Sequence, residues 1–409
     1  PIQLMAEGRS EDFKKHFCGT HFFNPPRYLR LLEIIPTPFT DTAVVDFLMH
    51  YGDLYLGKTT VLTKDTPAFI ANRVGVFGMM AIMKIMEKLQ LSIDEIDALT
   101  GPLAGRPKSA TFRTADVVGI DTLIKVAKGV YDNCPNDEAK DIFNIPAWLN
   151  KMVENNWLGD KTGQGFFKKV KTPEGKSDIQ VLNLQTMEYT ARQRPKFATL
   201  EAAKPIEDLP ARLKILINGT DKAGEFYRQF HYSLFSYISH RIPEISDEVY
   251  RLDDAMMAGF GWEIGAFESW DASGVAKTTE AMKAAGFTVA KWVDDMLAAG
   301  HNTFYKVENG KRLYYDVAGK TYKNLPGGDT FLVMKYFTNQ TIWKNSSSRV
   351  YHLGDDVLGL EWNTKMNSIG GEVLESIQKG ISLAEEKYKG LVIANESANF
   401  SAGANIGMI

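Results

Sequence analysis

The sequence is short of cysteine, short of surplus charge and short of long apolar runs. Its 409 residues hold two cysteines, Cys18 and Cys134. Two cannot build a disulfide framework or a four-cysteine zinc site, and their scarcity fits a reducing compartment. No metal site is expected. The formal net charge of −3 leaves no basic footprint for nucleic acid. The richest apolar stretch, residues 74–86, is too short to span a bilayer and contains Lys84. No secretory pattern is read at the start. These absences point to a soluble, cytoplasmic chain without a membrane span. What the sequence has is bulk: 44% hydrophobic content over this length supplies cores for two or three domains.

The stretch with chemistry in it runs Phe17, Cys18, Gly19, Thr20, His21, Phe22, Phe23, Asn24, Pro25, Pro26. It is followed by Leu31, Leu32, Glu33, Ile34, Ile35. The first part reads as a buried strand that delivers a histidine and an asparagine to its end. The two prolines stop it, since they cannot donate to a sheet ladder. The second part is another strand with one carboxylate between apolar neighbours. A buried carboxylate is costly unless paired, and His21 is the candidate partner. A His oriented by a Glu is a general base. On local pattern alone, a half-exposed strand with an incidental His and an edge Glu is the competing reading.

G-T-H-F-F-N-P-P followed by L-L-E-I-I resembles the 3-hydroxyacyl-CoA dehydrogenases of fatty-acid β-oxidation, which read G-x-H-F-F-N-P before a V-E or L-E strand. The resemblance implies His21 as catalytic base, Glu33 as its orienter and Asn24 beside a nicotinamide cofactor, NAD. The implied reaction converts (3S)-3-hydroxyacyl-CoA to 3-oxoacyl-CoA. In that family a βαβ unit with a Gly-rich turn precedes the histidine, as does a serine in an S-N-T-S stretch. Neither occurs before His21, and position 1 is proline. The expectation is an internal fragment whose residues 1–65 are the C-terminal part of a Rossmann-like domain.

Lys64, Asp65, Thr66 and Pro67 read as a helix start, with Thr66 as cap and Pro67 in the first turn. The helix that follows, residues 68–89, is apolar almost all round and belongs in a core. Ala71-Asn72-Arg73 after a D-x-P-x-F-I lead matches the family again, which implies that Asn72 hydrogen-bonds the substrate carbonyl. Lys161 to Phe167 reads K-T-G-Q-G-F-F. It is no phosphate loop, because the spacing is wrong. Its resemblance to the family's K-T-G-x-G-F-Y implies that Lys161 reaches towards the cofactor, with Phe167 in place of a tyrosine.

An internal repeat organises the middle of the chain. Residues 112–120 and 267–275 share F-x-[S/T]-x-D-x-x-G-[I/V], and Asp97-Ala98 upstream resembles Asp254-Ala255. Each copy ends in a Trp-led helix, at Trp148 and Trp292. The shared aspartates, Asp116 and Asp271, read as helix caps. The family's helical C-terminal domain, similar to that of 6-phosphogluconate dehydrogenase, is duplicated in its multifunctional members. Residues 66–170 and 208–310 are therefore expected to be two such copies packed as a pseudo-dimer, the second one structural.

Residues 171–207 read as a linker with a turn at 172–176, and residues 311–346 as a β-rich connector. Residues 347–409 read as β–α–β. They carry N-S-I at 367–369 and F-S-A-G-A-N-I at 400–406, which resemble the opening of the crotonase, or enoyl-CoA hydratase, fold. That implies a backbone N–H of Ala404 in an oxyanion hole, with Asn405 replacing the usual Asp. The expected fold is thus multidomain α/β plus all-α. The implied partners are an acyl-CoA substrate and either a homo-oligomer or a thiolase. Two other readings stand beside it. One is a catalytically silent acyl-CoA-binding or docking scaffold. The other is a 2-hydroxy-acid or sugar-acid dehydrogenase, disfavoured by the crotonase-like end.

Overall fold

The computed structural model describes every residue except 174, 398 and 409. The chain falls into two units, Pro1–Phe304 with Asp316–Lys320, and Tyr305–Tyr315 with Thr321–Ile409. The first unit begins with a short helix, α1 (Glu11–His16), capped by the Ser10 hydroxyl. A three-stranded sheet follows, in the order β1 (Cys18–Phe22), β2 (Leu31–Pro36), β3 (Thr59–Leu62). β1 runs antiparallel to β2, and β3 parallel to it. β2 is central and its first five residues are buried, which is why its sequence is apolar without alternation. Helix α2 (Thr42–Leu54) connects β2 to β3. Phe47, Tyr51 and Leu54 recur at helical spacing, which alone would predict a buried face, yet they are exposed; Gly52 is the residue turned to the sheet. A Cβ there would collide with Thr60 and Leu32.

Helix α3 (Ala71–Leu89) is the long core helix, but it starts later than its sequence suggests. Ala68 and Phe69 adopt left-handed φ of 65° and 53°, which side chains disfavour and which no helix continues. The Thr66 hydroxyl bonds the Lys64 carbonyl instead of capping. Ile70 stands at the N-cap without a side-chain cap of its own.

The chain continues through α4 (Ile93–Leu99), α5 (Phe112–Val118), α6 (Ile120–Asn133) and α7 (Ala147–Glu154). The segment read as a linker is instead an antiparallel meander of β4 (Phe167–Lys171), β5 (Ser177–Asn183) and β6 (Glu188–Ala191). Val181 and Leu182 anchor it in the core. The expected turn is closed by Thr172 N–H donating to the Lys176 carbonyl; Glu174 within it lies outside the described residues. Helices α8 (Ala198–Ala203), α9 (Leu209–Asn218), α10 (Lys222–Arg241), α11 (Val249–Phe260), α12 (Ala266–Ser273), α13 (Val275–Ala284) and α14 (Lys291–Ala298) complete this unit. α3 packs along α10, with Phe77 stacked on Tyr237 at 3.7 Å.

The repeat is visible as repeated hydrogen bonding. Asp97 accepts from the N–H groups of Thr111, Phe112 and Arg113, and Asp253 accepts from those of Phe267 and Glu268. Asp253, not Asp254, is therefore the counterpart of Asp97. Asp116 and Asp271 do not cap helices. Asp116 reaches the Gly165-Phe166-Phe167 turn, where it accepts from Phe166 and Phe167 N–H, and Asp271 accepts from Phe304 N–H.

The second unit opens with a three-stranded sheet of β7 (Tyr305–Glu308), β8 (Lys311–Asp316) and β9 (Thr321–Asn324). A four-stranded sheet follows, in the order β10 (Thr341–Lys344), β11 (Ser348–Gly354), β12 (Val357–Trp362), β13 (Gly390–Ile393). β12 and β13 are parallel and joined through helix α15 (Gly371–Lys387), the expected β–α–β crossover. Val350, Leu358, Leu360, Trp362 and Val373 form its core. Among the described residues no helix is long and apolar enough to cross a membrane.

Candidate active site

Strand register makes the site. His21 on β1 stands directly opposite Glu33 on β2, a placement that brings facing side chains within reach. His21 Nδ1 lies 2.6 Å from Glu33 Oε2. The other carboxylate oxygen, Oε1, accepts from the N–H groups of Ile70 and Ala71, each at 3.0 Å. Glu33 is fully buried, so it meets the requirement that a buried charge be compensated, here by three donors. Two of them belong to the first turn of α3, whose dipole also favours an anion. The late start of the helix thus leaves these amides to Glu33, which does the capping that Thr66 does not.

This arrangement fixes the imidazole. With Nδ1–H donating to Glu33, Nε2 carries the lone pair and is the basic atom. No described residue hydrogen-bonds Nε2. The rings of Phe23 and Phe69 flank the imidazole at 5.4 Å each, while about a third of the His21 side chain (31%) stays open to solvent. Chemically, this is an oriented base in an apolar setting with one open approach.

Asn24 follows β1 directly; it is exposed and has no described hydrogen bond. Asn72 lies next to Ala71 in the first turn of α3. It lines a cavity of about 460 Å³ with Pro67, Ala68, Phe69 and Val126. The structure therefore gathers His21, Glu33, Phe69 and Asn72 in one place. Lys161 is not joined to them by any described contact; it is ion-paired with Asp121 at the start of α6. Ala404 belongs to the second unit and is exposed. It forms a parallel bridge with Ile369, in which Ile369 N–H donates to Gly403 and Asn405 N–H donates to Ile369. The Ala404 N–H has no described partner. Phe69 and the Ile70 and Ala71 amides escaped the sequence reading, because nothing in the sequence signals left-handed backbone at Ala68 and Phe69.

Beside Asn72 lies a buried charge network. Arg73 contacts Tyr237 Oη (2.6 Å), Asp137 (2.6 Å), Glu244 (3.1 Å) and the Cys134 thiol (2.9 Å). Arg241 joins it through Asp137, Glu138 and Glu244. Burial opposes the Arg73 charge, but Tyr237 and Glu244 outweigh it and hold the guanidinium protonated.

Comparison with known proteins places this geometry. Residues 1–66 match the NAD binding domain of 3-hydroxyacyl-CoA dehydrogenases, and residues 69–169 match the C-terminal domain of the same enzymes. Both matches are to 3-hydroxyacyl-CoA dehydrogenase domains, and together they take in most of residues 1–169. It is 45% identical over 410 residues to a Bacillus subtilis (strain 168) protein named "Probable 3-hydroxyacyl-CoA dehydrogenase", covering 100% of this chain and 51% of that protein. A Deinococcus radiodurans protein of the same name is 49% identical over 171 residues, covering 42% of this chain and 49% of its own length. A Rickettsia felis protein, provisionally named a fatty acid oxidation complex trifunctional enzyme, is 26% identical over 417 residues, covering 100% and 52%. The chain spans about half the length of these curated relatives. Its mixed α/β fold thus combines a Rossmann-like part that serves NAD with a helical part.

The residues present suit the nicotinamide end of that cofactor. The exposed Asn24 side chain offers both an N–H donor and a carbonyl acceptor, the complement of another carboxamide. It follows the strand that carries His21. Lys161 fits less well, since Asp121 holds its ammonium group.

Proposed function

We propose that the whole protein oxidises (3S)-3-hydroxyacyl-CoA to 3-oxoacyl-CoA. The observation that carries the reading is the His21–Glu33 pair, with Nδ1 engaged and Nε2 open. His21 Nε2 takes the proton of the 3-hydroxyl group. Bound NAD would supply the acceptor for the hydride that leaves C3. Glu33 stabilises the imidazolium that forms, and its own charge stays anchored by the Ile70 and Ala71 amides. Asn72 donates to the thioester carbonyl and holds C3 at the imidazole. Asn24 holds the nicotinamide carboxamide, and Lys161 serves the cofactor by exchanging Asp121 for it. The catalytic contribution is orientation combined with general-base chemistry.

Residues 66–170 and 208–310 act as two copies of one helical domain, a reading supported by the paired roles of Asp97 with Asp253 and Asp116 with Asp271. We read residues 347–409 as the start of an enoyl-CoA hydratase-like unit, in which Ala404 N–H meets a thioester oxygen. The β12–α15–β13 crossover and the trifunctional name of the Rickettsia relative support this. A homo-oligomer or a thiolase partner belongs to the same proposal.

The test is acetoacetyl-CoA-dependent oxidation of NADH by the whole protein and by its His21→Ala variant. The expected result is turnover in the wild type and a fall in kcat of about 10²-fold or more in the variant, the usual worth of a general base. A wild type that binds acetoacetyl-CoA but never oxidises NADH would be the silent scaffold instead.

A further inference from the structure

The second helical copy has no His–Glu pair, yet it contributes a side chain beside the first one. Phe260, at the end of α11, sets its ring edge-on against Phe23 at 5.6 Å. Phe23 in turn lies edge-on to His21 at 5.4 Å. The Phe260 ring also fills the space over Gly75 of α3, where a Cβ would come within 2.1 Å of it. The ring helps wall a small cavity of about 40 Å³, which Gly75, Met79, Ile82, Arg106 and Trp262 also line. In order from the imidazole, the sequence of features is His21, Phe23, Phe260, cavity.

The face of α3 gives this order a direction. Asn72, Gly75, Met79 and Ile82 are spaced 3, 4 and 3 residues apart, which sets them along one side of the helix. Gly75 stands about 4.5 Å along the axis from Asn72, comparable to the span from a thioester carbonyl to C4 or C5. A substrate with its carbonyl at Asn72 and its C3 at His21 meets the Phe260 ring when its next carbons follow this side of α3. Beyond that ring Met79, Ile82 and Trp262 give the cavity an apolar part beside Arg106, Thr111 and Thr114, with room for one or two methylene groups where one water needs roughly 10–15 Å³.

We infer that Phe260 sets the acyl-chain length accepted at the His21 site. With the ring over Gly75, the site takes short 3-hydroxyacyl chains; a longer tail enters the cavity only when the ring is displaced. The inference rests on the dehydrogenase reading above, and it makes the second copy a part of the active site. Phe260 contacts no reacting atom: it acts on the tail alone.

The experiment compares acetoacetyl-CoA with 3-oxodecanoyl-CoA in the whole protein, its Phe260→Ala variant and the milder Phe260→Leu. We expect Phe260→Ala to raise kcat/KM for the ten-carbon substrate relative to acetoacetyl-CoA by about tenfold, since each buried methylene adds appreciable binding. The change should lie in KM, and Phe260→Leu should move the ratio the same way by less. Dissociation constants of the two ligands, measured without NADH, should shift in parallel. Adding Ile82→Phe to Phe260→Ala refills the cavity and should restore the short-chain preference. An unchanged ratio in both Phe260 variants, with acetoacetyl-CoA turnover intact, overturns the inference alone. No acetoacetyl-CoA turnover in the wild type overturns the dehydrogenase reading, and this inference with it.

Discussion

Arg73 Nη2 lies 2.6 Å from Asp137 Oδ2, and both side chains are completely buried. The pair joins α3 to the segment after α6, and Tyr237 and Arg241 of α10 share it. Because Arg73 adjoins Asn72, the network also fixes the turn that presents Asn72. Removing one member of a buried pair leaves the other uncompensated, at a cost of about 3–5 kcal/mol. Arg73→Met should fall at the lower end, since Arg241 still faces Asp137 at 2.9 Å. Replacing both residues, as Arg73→Met with Asp137→Leu, should recover most of the loss. Urea midpoints of the three variants decide it; additive losses in the double variant would show that the pair has no mutual coupling.

Glu33→Gln should separate orientation from charge at the site. A glutamine can still accept from Ile70 and Ala71 N–H through its carbonyl oxygen. Its NH₂ group then faces His21 Nδ1 and forces the imidazole to carry its proton on Nε2, the atom meant to be basic. We expect kcat to drop by roughly 10²–10³-fold with little change in thermal midpoint, within the range for general-base catalysis. Nitrogen NMR of His21 should show the tautomer change directly. A variant with full activity would remove Glu33 from the mechanism.

His231 provides the pH test. It is buried in α10, bonded through Nδ1 to the Tyr227 carbonyl, and burial first, then Arg106, holds its pKa down at about 4. The unfolded chain takes up this proton near pH 6.5. Between those two values the unfolded state binds more protons, so stability is complete above pH 6.5 and falls as pH drops towards 4. The site's share is about 3 kcal/mol over that window. His231→Phe should flatten this acid limb while keeping the ring contacts with Phe230 and Phe235. Buried Asp97 works the other way: burial raises its pKa to about 7, so its contribution weakens as pH rises from about 4 to 7. Thermal midpoints of the His231 variant at pH 4.5 and 7.5 are the measurement, and an undiminished acid limb would clear His231 of the effect.

The dyad was readable in the sequence because an apolar strand has few ways to accommodate a carboxylate, and His21 lay one hairpin-like return away. The repeated F-x-[S/T]-x-D-x-x-G-[I/V] motif was readable as sequence, because its aspartates and glycines keep fixed spacing. Three things were not. The start of α3 follows left-handed backbone at Ala68 and Phe69, residues with no local preference for it, and its first amides are held by Glu33 from another element. The apolar side of α2 suggested a buried face, yet Phe47 and Leu54 are more than half exposed, because Gly52 lets the opposite side approach the sheet. The meander at 167–191 looked like a linker because its short strands are charged outward and bury little beyond Phe167, Val181 and Leu182.

The glycines around Asp116 give a prediction that depends on shape alone. Gly165 carries no Cβ because one would sit 2.1 Å from Asp116 Oδ1, the oxygen that accepts from Phe166 N–H. Gly159 faces the Asp116 carbonyl at 2.2 Å and has φ of +96°, which adds backbone strain to the clash. Either alanine must push Asp116 off the two N–H groups it holds, leaving buried polar atoms unpaired at about 1–3 kcal/mol each. Gly165→Ala and Gly159→Ala should therefore each lower the thermal midpoint by several degrees. Gly129→Ala is the counter-case. It lies within α6, has ordinary φ and has nothing within 4 Å of the added methyl, so it should stabilise by about 0.5–1 kcal/mol. Calorimetric midpoints of the three variants check the sign. A destabilising Gly129→Ala beside a neutral Gly165→Ala would mean that Asp116 does not hold this turn. Asp271, the matching aspartate of the repeated motif, would then need another explanation as well.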